Sequence, residues 1–249
     1  SVDVAASYIF LFILFGTIMN KCGMGQFFND LALAFAGSTK GGPAKVAVIA
    51  SGLLGSINGS AVANVVTTGA FTIPLMKKTG YSKEFAGAVE SSASVGGQLL
   101  PPIMGAAAFI MAEMLGIKYG AIVVSAAIPA LLYYLGIMVQ VQLRANRRNL
   151  QGLPKEQLPK VREVLKDRGH LLIPIAVLLY LLLFSGLTVI YSAFWSIVTT
   201  IVVSQTRPST RMTIRQILDA FAEGTTATVS VAIACAVVGI IIGIVSLTG

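Results

Sequence analysis

Two long stretches of this chain carry no charge at all. Between Leu171 and Gln205, and again between Gly224 and Gly249, no Asp, Glu, Lys or Arg occurs. Each exceeds the roughly 20 apolar residues that span the hydrocarbon core of a bilayer. Such runs narrow the choice of fold sharply, because backbone in lipid must satisfy its own hydrogen bonds and a helix does so within one segment. The rest of the chain shares the bias: 55% of its 249 residues are hydrophobic and 11% are charged, against about a quarter charged in soluble domains. Mean hydropathy is +0.83. The expected fold class is an all-α polytopic membrane protein.

The formal net charge of +8 would suggest nucleic acid in a soluble chain. Here the basic residues sit in short connections between apolar runs, where they set orientation, and no basic groove with stacking aromatics accompanies them, so no nucleic-acid partner is expected. Cys22 and Cys235 lie far apart within or beside apolar segments and offer neither a CxxC pair nor a zinc knuckle. His170 has no second His to build a metal cluster, so no transition-metal site is expected. Neither a P-loop nor a GxSxG motif occurs. The chain starts at Ser1 without Met and stops in an apolar run, which reads as a fragment, and no cationic region with a cleavage site makes its first helix a signal peptide.

Charge placement divides residues 1–249, read as a single membrane domain, into segments. A span over 3–21 ends at Lys21 on the cytoplasmic side. Phe27, Phe28, Leu31 and Phe35 share one face of an interfacial helix over 26–37. A hairpin over 43–77 and an interrupted span over 82–115 follow, then a span over 118–143. The loop 144–169 holds eight basic and three acidic residues between Arg144 and Arg168 and belongs in the cytoplasm. Two spans fill 170–204. Thr213-Ile214-Arg215-Gln216 fits a capping box that opens an interfacial helix over 213–224, ending at Gly224. A last span, 226–248, carries Gly239 and Gly243 in a GxxxG spacing.

The segment Pro43 to Met76 carries the positional argument. Lys40 and Lys45 flank one side, and Lys77, Lys78 and Lys83 flank the other, so both ends belong in the cytoplasm. Gly55-Ser56-Ile57-Asn58-Gly59-Ser60 divides it into arms of about 12 and 16 residues, each short of a full crossing. A re-entrant helical hairpin with its tip inside the membrane resolves this. Counting the segment as one span would instead push the eight-cation loop outside.

Two helix breaks at membrane depth, the hairpin tip and Gly96-Gly97-Gln98-Leu99-Leu100-Pro101-Pro102, are tolerated where backbone is buried or lines a polar cavity. Free N–H groups at such breaks suit anions and loose carbonyls suit sodium. Beyond the tip, Ser60, Asn64, Thr67 and Thr68 form a polar stripe, and Glu90, Ser94 and Gln98 form another at i, i+4 and i+8. Two readings fit these stripes: a hydrated site, or hydrogen-bonded ties between neighbouring helices. An ionisable residue inside a span is a functional candidate by default, which singles out Glu90; Glu113 sits near the outer end of its span.

The run from Ser51 to Asn64 (SGLLGSINGSAVAN) and the run from Gly96 to Gly105 (GGQLLPPIMG) resemble the large membrane subunit of the tripartite ATP-independent periplasmic (TRAP) transporters, above all the fused, TAXI-type permeases, and the likeness extends through nearly the whole chain. The resemblance implies a multi-pass permease in a bacterial or archaeal inner membrane, one half of an inverted-repeat, elevator-type transporter. It would import organic acids with sodium as coupling ion and no other cofactor. Implied partners are a periplasmic solute-binding protein, a small membrane subunit or fused scaffold domain, membrane lipid and a small carboxylate substrate. The hairpin tip and the unwound stretch would form the site, with Ser56, Asn58, Gly59, Ser60, Gly96 and Gly97 toward sodium and Asn64, Thr68, Glu90, Ser94, Gln98, Pro101 and Pro102 toward substrate. The alternatives are a passive channel and an intramembrane enzyme, for which Glu90 or His170 would be acid or base.

Overall fold

The computed structural model describes residues 5–248, the side chains of residues 5, 242 and 246 apart; the first positions of the expected span 3–21 lie outside them. Among the described residues there are helices and connections and no strand. A π-helical turn at Ala5–Ile9 leads into α1 (Phe10–Lys21), followed by α2 (Met24–Ala36), α3 (Gly42–Asn58), α4 (Ala61–Lys78) and α5 (Lys83–Gly97). After an irregular stretch come α6 (Ala106–Leu115), α7 (Tyr119–Arg148), α8 (Val161–Arg168), α9 (Leu172–Leu183), α10 (Val189–Ser204) and α11 (Ile214–Thr248). By length and apolar composition α7 and the stretch Ile214–Val245 of α11 can each cross a bilayer; the first two apolar helices pass the same test only if taken together, and α6 and α10 are apolar but shorter.

Contacts gather the chain into two compact units. The first comprises Ser1–Cys22, Gly105–Ile122 and Leu171–Gly249, and the second Gly23–Met104 and Val123–His170. Both units are discontinuous because the chain crosses between them at the connection after α1, at the irregular stretch before α6, early in α7 and at the start of α9.

In the first unit α1 packs against α10 and α11, and α9 against α10. Phe109 stacks on Tyr119 with centroids 4.3 Å apart, and Phe12 closes on Phe109 at 4.9 Å. The capping box forms as the sequence dictates: Gln216 N donates to Thr213 Oγ1 at 3.3 Å and Thr213 N to Gln216 Oε1 at 2.8 Å. One expectation is corrected here. The interfacial helix ending at Gly224 and the span from 226 are one continuous helix, α11. Gly224 serves close approach instead of termination, since a Cβ there would lie 3.3 Å from Leu14 Cα. The hydroxyls of Thr225, Thr226 and Thr228 bond back to the carbonyls of Phe221, Ala222 and Gly224, so the polar run is satisfied inside the helix.

In the second unit α3 is the central element, in contact with α2, α4 and α5. The seam is built from small residues, with Ala44, Ala47, Ala86 and Ala93 fully buried beside Val48, Val89 and Met76; their size lets helix axes approach closely. The hairpin exists, but its arms are 17 and 18 residues long instead of the expected 12 and 16. The break shrinks to Gly59–Ser60 because α3 runs on through Gly55, Ser56 and Ile57 to Asn58, where Ser56 Oγ returns its hydrogen to Leu53 O at 2.8 Å. Tyr81, just past α4, donates to Gly41 O just before α3 at 3.3 Å, so the outer ends of the two arms lie side by side. Burial pushes the Tyr81 hydroxyl up to about 12, keeping it a neutral donor. The eight-cation loop is ordered too: Gly41 N donates to Leu150 O at 3.1 Å, Leu153 N to Gly37 O at 2.8 Å, and α8 packs on α2.

Candidate functional site

Two polar clusters stand in the second unit, one at the hairpin tip and one between the arms. Gly59 takes φ +65° at the tip, and a Cβ there would lie 2.5 Å from Met104 O. Only glycine meets both demands. Ser60 caps α4, its Oγ accepting from Ala63 N at 3.3 Å, while its own N–H donates to Asn58 Oδ1 at 3.1 Å. The tip docks on the stretch between α5 and α6: Gln98 Nε2 donates to Gly59 O at 3.3 Å, and Ile103 N donates to Ser56 O at 3.0 Å. The Pro101–Pro102 peptide of that stretch is cis. Gly96 and Gly97, expected within the break, belong to the last turn of α5. Gly97 touches Gly55 of α3 backbone to backbone, and Gly96 seats the ring of Tyr133.

The second cluster is centred on Glu90, which has no exposed surface. Ser51 Oγ of α3 donates to its Oε1 at 2.7 Å; Thr68 and Thr72 of α4 reach Oε1 and Oε2, each at 2.5 Å; Ser94 of α5 reaches Oε1 at 3.2 Å. Four hydroxyls from three helices thus surround one carboxyl, the kind of buried network whose members stabilise each other only when all are bonded. Gly69 makes room, since a Cβ at that position would meet Glu90 Cγ at 3.1 Å. Asn64 Nδ2 donates to Ser51 O at 2.7 Å, whereas the buried Asn64 Oδ1 accepts from no group among the described residues. On the other side Tyr134 of α7 donates to Ala93 O at 2.7 Å, its ring lying over Gly52 and Gly96.

The residues expected for substrate therefore separate. Asn64, Thr68, Glu90 and Ser94 are sealed between the arms and α5, while Gln98, Pro101 and Pro102 stand at the tip. Ser51 and Thr72 belong to the Glu90 cluster and were absent from the expected set. Thr72 was within reach of the sequence, as it continues the Asn64–Thr68 stripe at i+4. Ser51 carried no periodic signal. Thr67, on the expected stripe, instead bonds back to Ala63 O at 2.8 Å. The tip's oxygens are all neutral carbonyl, amide and hydroxyl groups, hard ligands that suit an alkali cation better than a transition metal.

Residues 1–249 match the family described as Tripartite ATP-independent periplasmic transporter, DctM component. Among relatives, the C4-dicarboxylate TRAP transporter large permease protein DctM of Vibrio cholerae is 32% identical over 155 residues, covering 62% of this chain and 33% of its own length. The uncharacterized protein YgiK of Salmonella typhimurium is 30% identical over 156 residues, covering 63% and 36%. The sialic acid TRAP transporter large permease protein SiaM of Vibrio cholerae is 29% identical over 156 residues, covering 61% and 36%. The matched part spans about a third of the length of these curated relatives.

Proposed function

The chain belongs to the DctM component family of the tripartite ATP-independent periplasmic transporters, and from that membership we propose that it forms the first half of an inverted-repeat, elevator-type transport domain that imports small carboxylates with sodium. As a family member it is a membrane permease component and not an enzyme. The observation that supports the coupling reading is the hairpin tip, where neutral oxygens gather against the unwound 98–105 stretch, Gly59 O accepting from Gln98 Nε2, Ser56 O from Ile103 N and Asn58 Oδ1 from Ser60 N. Sodium is cargo in this reading, held by the oxygens of Ser56, Asn58, Gly59 and Ser60 near Gly96 and Gly97. The wording of the two glycine-rich motifs favours a fused, TAXI-type permease. Relatives named for C4-dicarboxylate and sialic acid support an organic acid as substrate. A periplasmic binding protein would deliver it, with a small membrane subunit or fused scaffold holding the moving part in the inner membrane.

The test is uptake by the full-length permease reconstituted with its binding protein. Solute accumulation is expected only with an inward sodium gradient; ATP-dependent or gradient-independent uptake overturns the proposal. The re-entrant hairpin makes a second prediction. Single cysteines at Lys40 and Lys78 should react with an impermeant maleimide from the same membrane face, and labelling from opposite faces would make the arms true crossings.

A further inference from the structure

Helix α8 keeps its two signs of charge apart. At 3.6 residues per turn, Val161, Val164, Leu165 and Arg168 share one face, with Arg162 and Lys166 on one flank of it and Glu163 and Asp167 on the other. The shared face meets α2: Val164 is buried, and the two helices pack together. Both ends of this packing are fixed. Leu158 Cδ2 lies 2.6 Å from where a Cβ of Gly37, just past α2, would stand, and Arg168 Nη1 lies 3.6 Å from that of Gly23, just before it. The segment 158–168 therefore runs antiparallel along the length of α2. Arg168, its side chain 16% exposed, keeps Asp167 at 3.3 Å, and Lys160 keeps Glu163 at 3.5 Å. Arg162 and Lys166 are exposed and make no ion pair among the described residues.

A helix built only for water gains from opposite charges set four residues apart. Here Arg162 and Lys166 are like charges at that spacing, as are Glu163 and Asp167, and such pairs destabilise. An anion bound beside Arg162 and Lys166 offsets that cost. The flank also lies at a membrane face. Arg148 ends α7, which is long and apolar enough to cross a bilayer, and the chain then folds back on the span, Leu150 N donating to Ala145 O at 3.0 Å. Leu165, bordering the cationic flank, is 42% exposed, and Phe35 of α2 is 62% exposed. Apolar side chains can thus enter a headgroup layer while the cations reach its phosphates. We propose that the cationic flank of α8 docks on anionic phospholipid headgroups at the membrane face where α7 ends, with Glu163 and Asp167 turned toward water. Topology depends only on the number of cations in a loop; docking depends on their placement on one flank of a helix that α2 holds in place. It requires the membrane setting and not sodium coupling.

Native mass spectrometry of the full-length permease in neutral detergent tests this without uptake, so failure of the transport reading would leave the result standing. Phosphatidylglycerol should bind at about tenfold lower concentration than phosphatidylcholine, because each cation at an anionic surface contributes several-fold, and added salt should narrow the gap. Arg162→Glu/Lys166→Glu should erase most of that preference. Lys77→Glu/Lys78→Glu, an equal change of net charge at the exposed end of α4, should retain it. Equal loss in both double variants would mean attraction by net charge alone and overturns the proposal. So does a preference that survives in the α8 variant, or none in the wild type, which would leave the flank to an acidic protein. If the glutamate variant does not accumulate, Arg162→Gln/Lys166→Gln decides, since both side chains are exposed; an unchanged preference there refutes the docking. Glycerol phosphate supplies the headgroup charge without acyl chains, and its competition at equal concentration would make this a free-phosphate site and overturn the membrane assignment.

Discussion

Gly97→Ala in the full-length permease is expected to unfold at lower temperature than the wild type and to lose solute uptake. The added methyl would sit 2.6 Å from Gly55 Cα and 2.9 Å from Gly55 C, so the obstacle is main chain and no side chain can rotate away. Overpacking typically costs about 1–3 kcal/mol, and two helices that must separate along a backbone contact belong at the upper end. Separation would also loosen the Glu90 cluster, since α3 and α5 supply Ser51, Glu90 and Ser94. The control lies in the same helix. Gly87 has nothing within 4 Å of its would-be Cβ, so Gly87→Ala should leave uptake intact and gain roughly 0.5–1 kcal/mol from helix propensity alone. Thermal melting of the two variants side by side checks the argument; equal melting temperatures would mean that the Gly55–Gly97 contact contributes nothing to stability.

Gly59→Ala should abolish uptake by a more local route. Its φ of +65° costs an L-residue about 1–2 kcal/mol, and its Cβ would collide with Met104 O at 2.5 Å, breaking the docking of the tip on the unwound stretch. Gly59→Asn separates the two causes. Asn tolerates the left-handed conformation yet still carries a Cβ, so if close approach matters, both variants fail alike. Recovery of uptake in Gly59→Asn would assign the defect to backbone conformation and free Met104 from any part in it. Solute uptake and melting temperature should diverge in these variants, with melting less changed than uptake, because the buried residues that pack α3, α4 and α5 together lie away from the tip.

How far the sequence reached can be judged from particular residues. The Thr213–Gln216 capping box and the hairpin turn were legible because each is settled within about one turn of helix, where a side chain meets nearby backbone. The all-α membrane class followed from charge-free runs longer than a bilayer is thick. Gly224 misled, because a glycine after an amphipathic turn looks the same in sequence whether it ends a helix or lets one lie against Leu14. The length of α3 misled for a similar reason: Gly55 looks like a breaker until Gly97 is found pressed against it. Helical periodicity put Asn64 and Thr68 on one face and Glu90 and Ser94 on another, but a stripe has a direction and no partner. That Glu90 is wholly enclosed, and that Ser51 from 39 positions earlier bonds to it, depends on how three helices pack through glycine and alanine seams. The sequence by itself determined the solvent, the helices and their caps, because those rest on transfer free energy and hydrogen bonds within a turn. Only the tertiary structure decided which polar groups meet, because that is set by the distance between helices, which no local pattern contains.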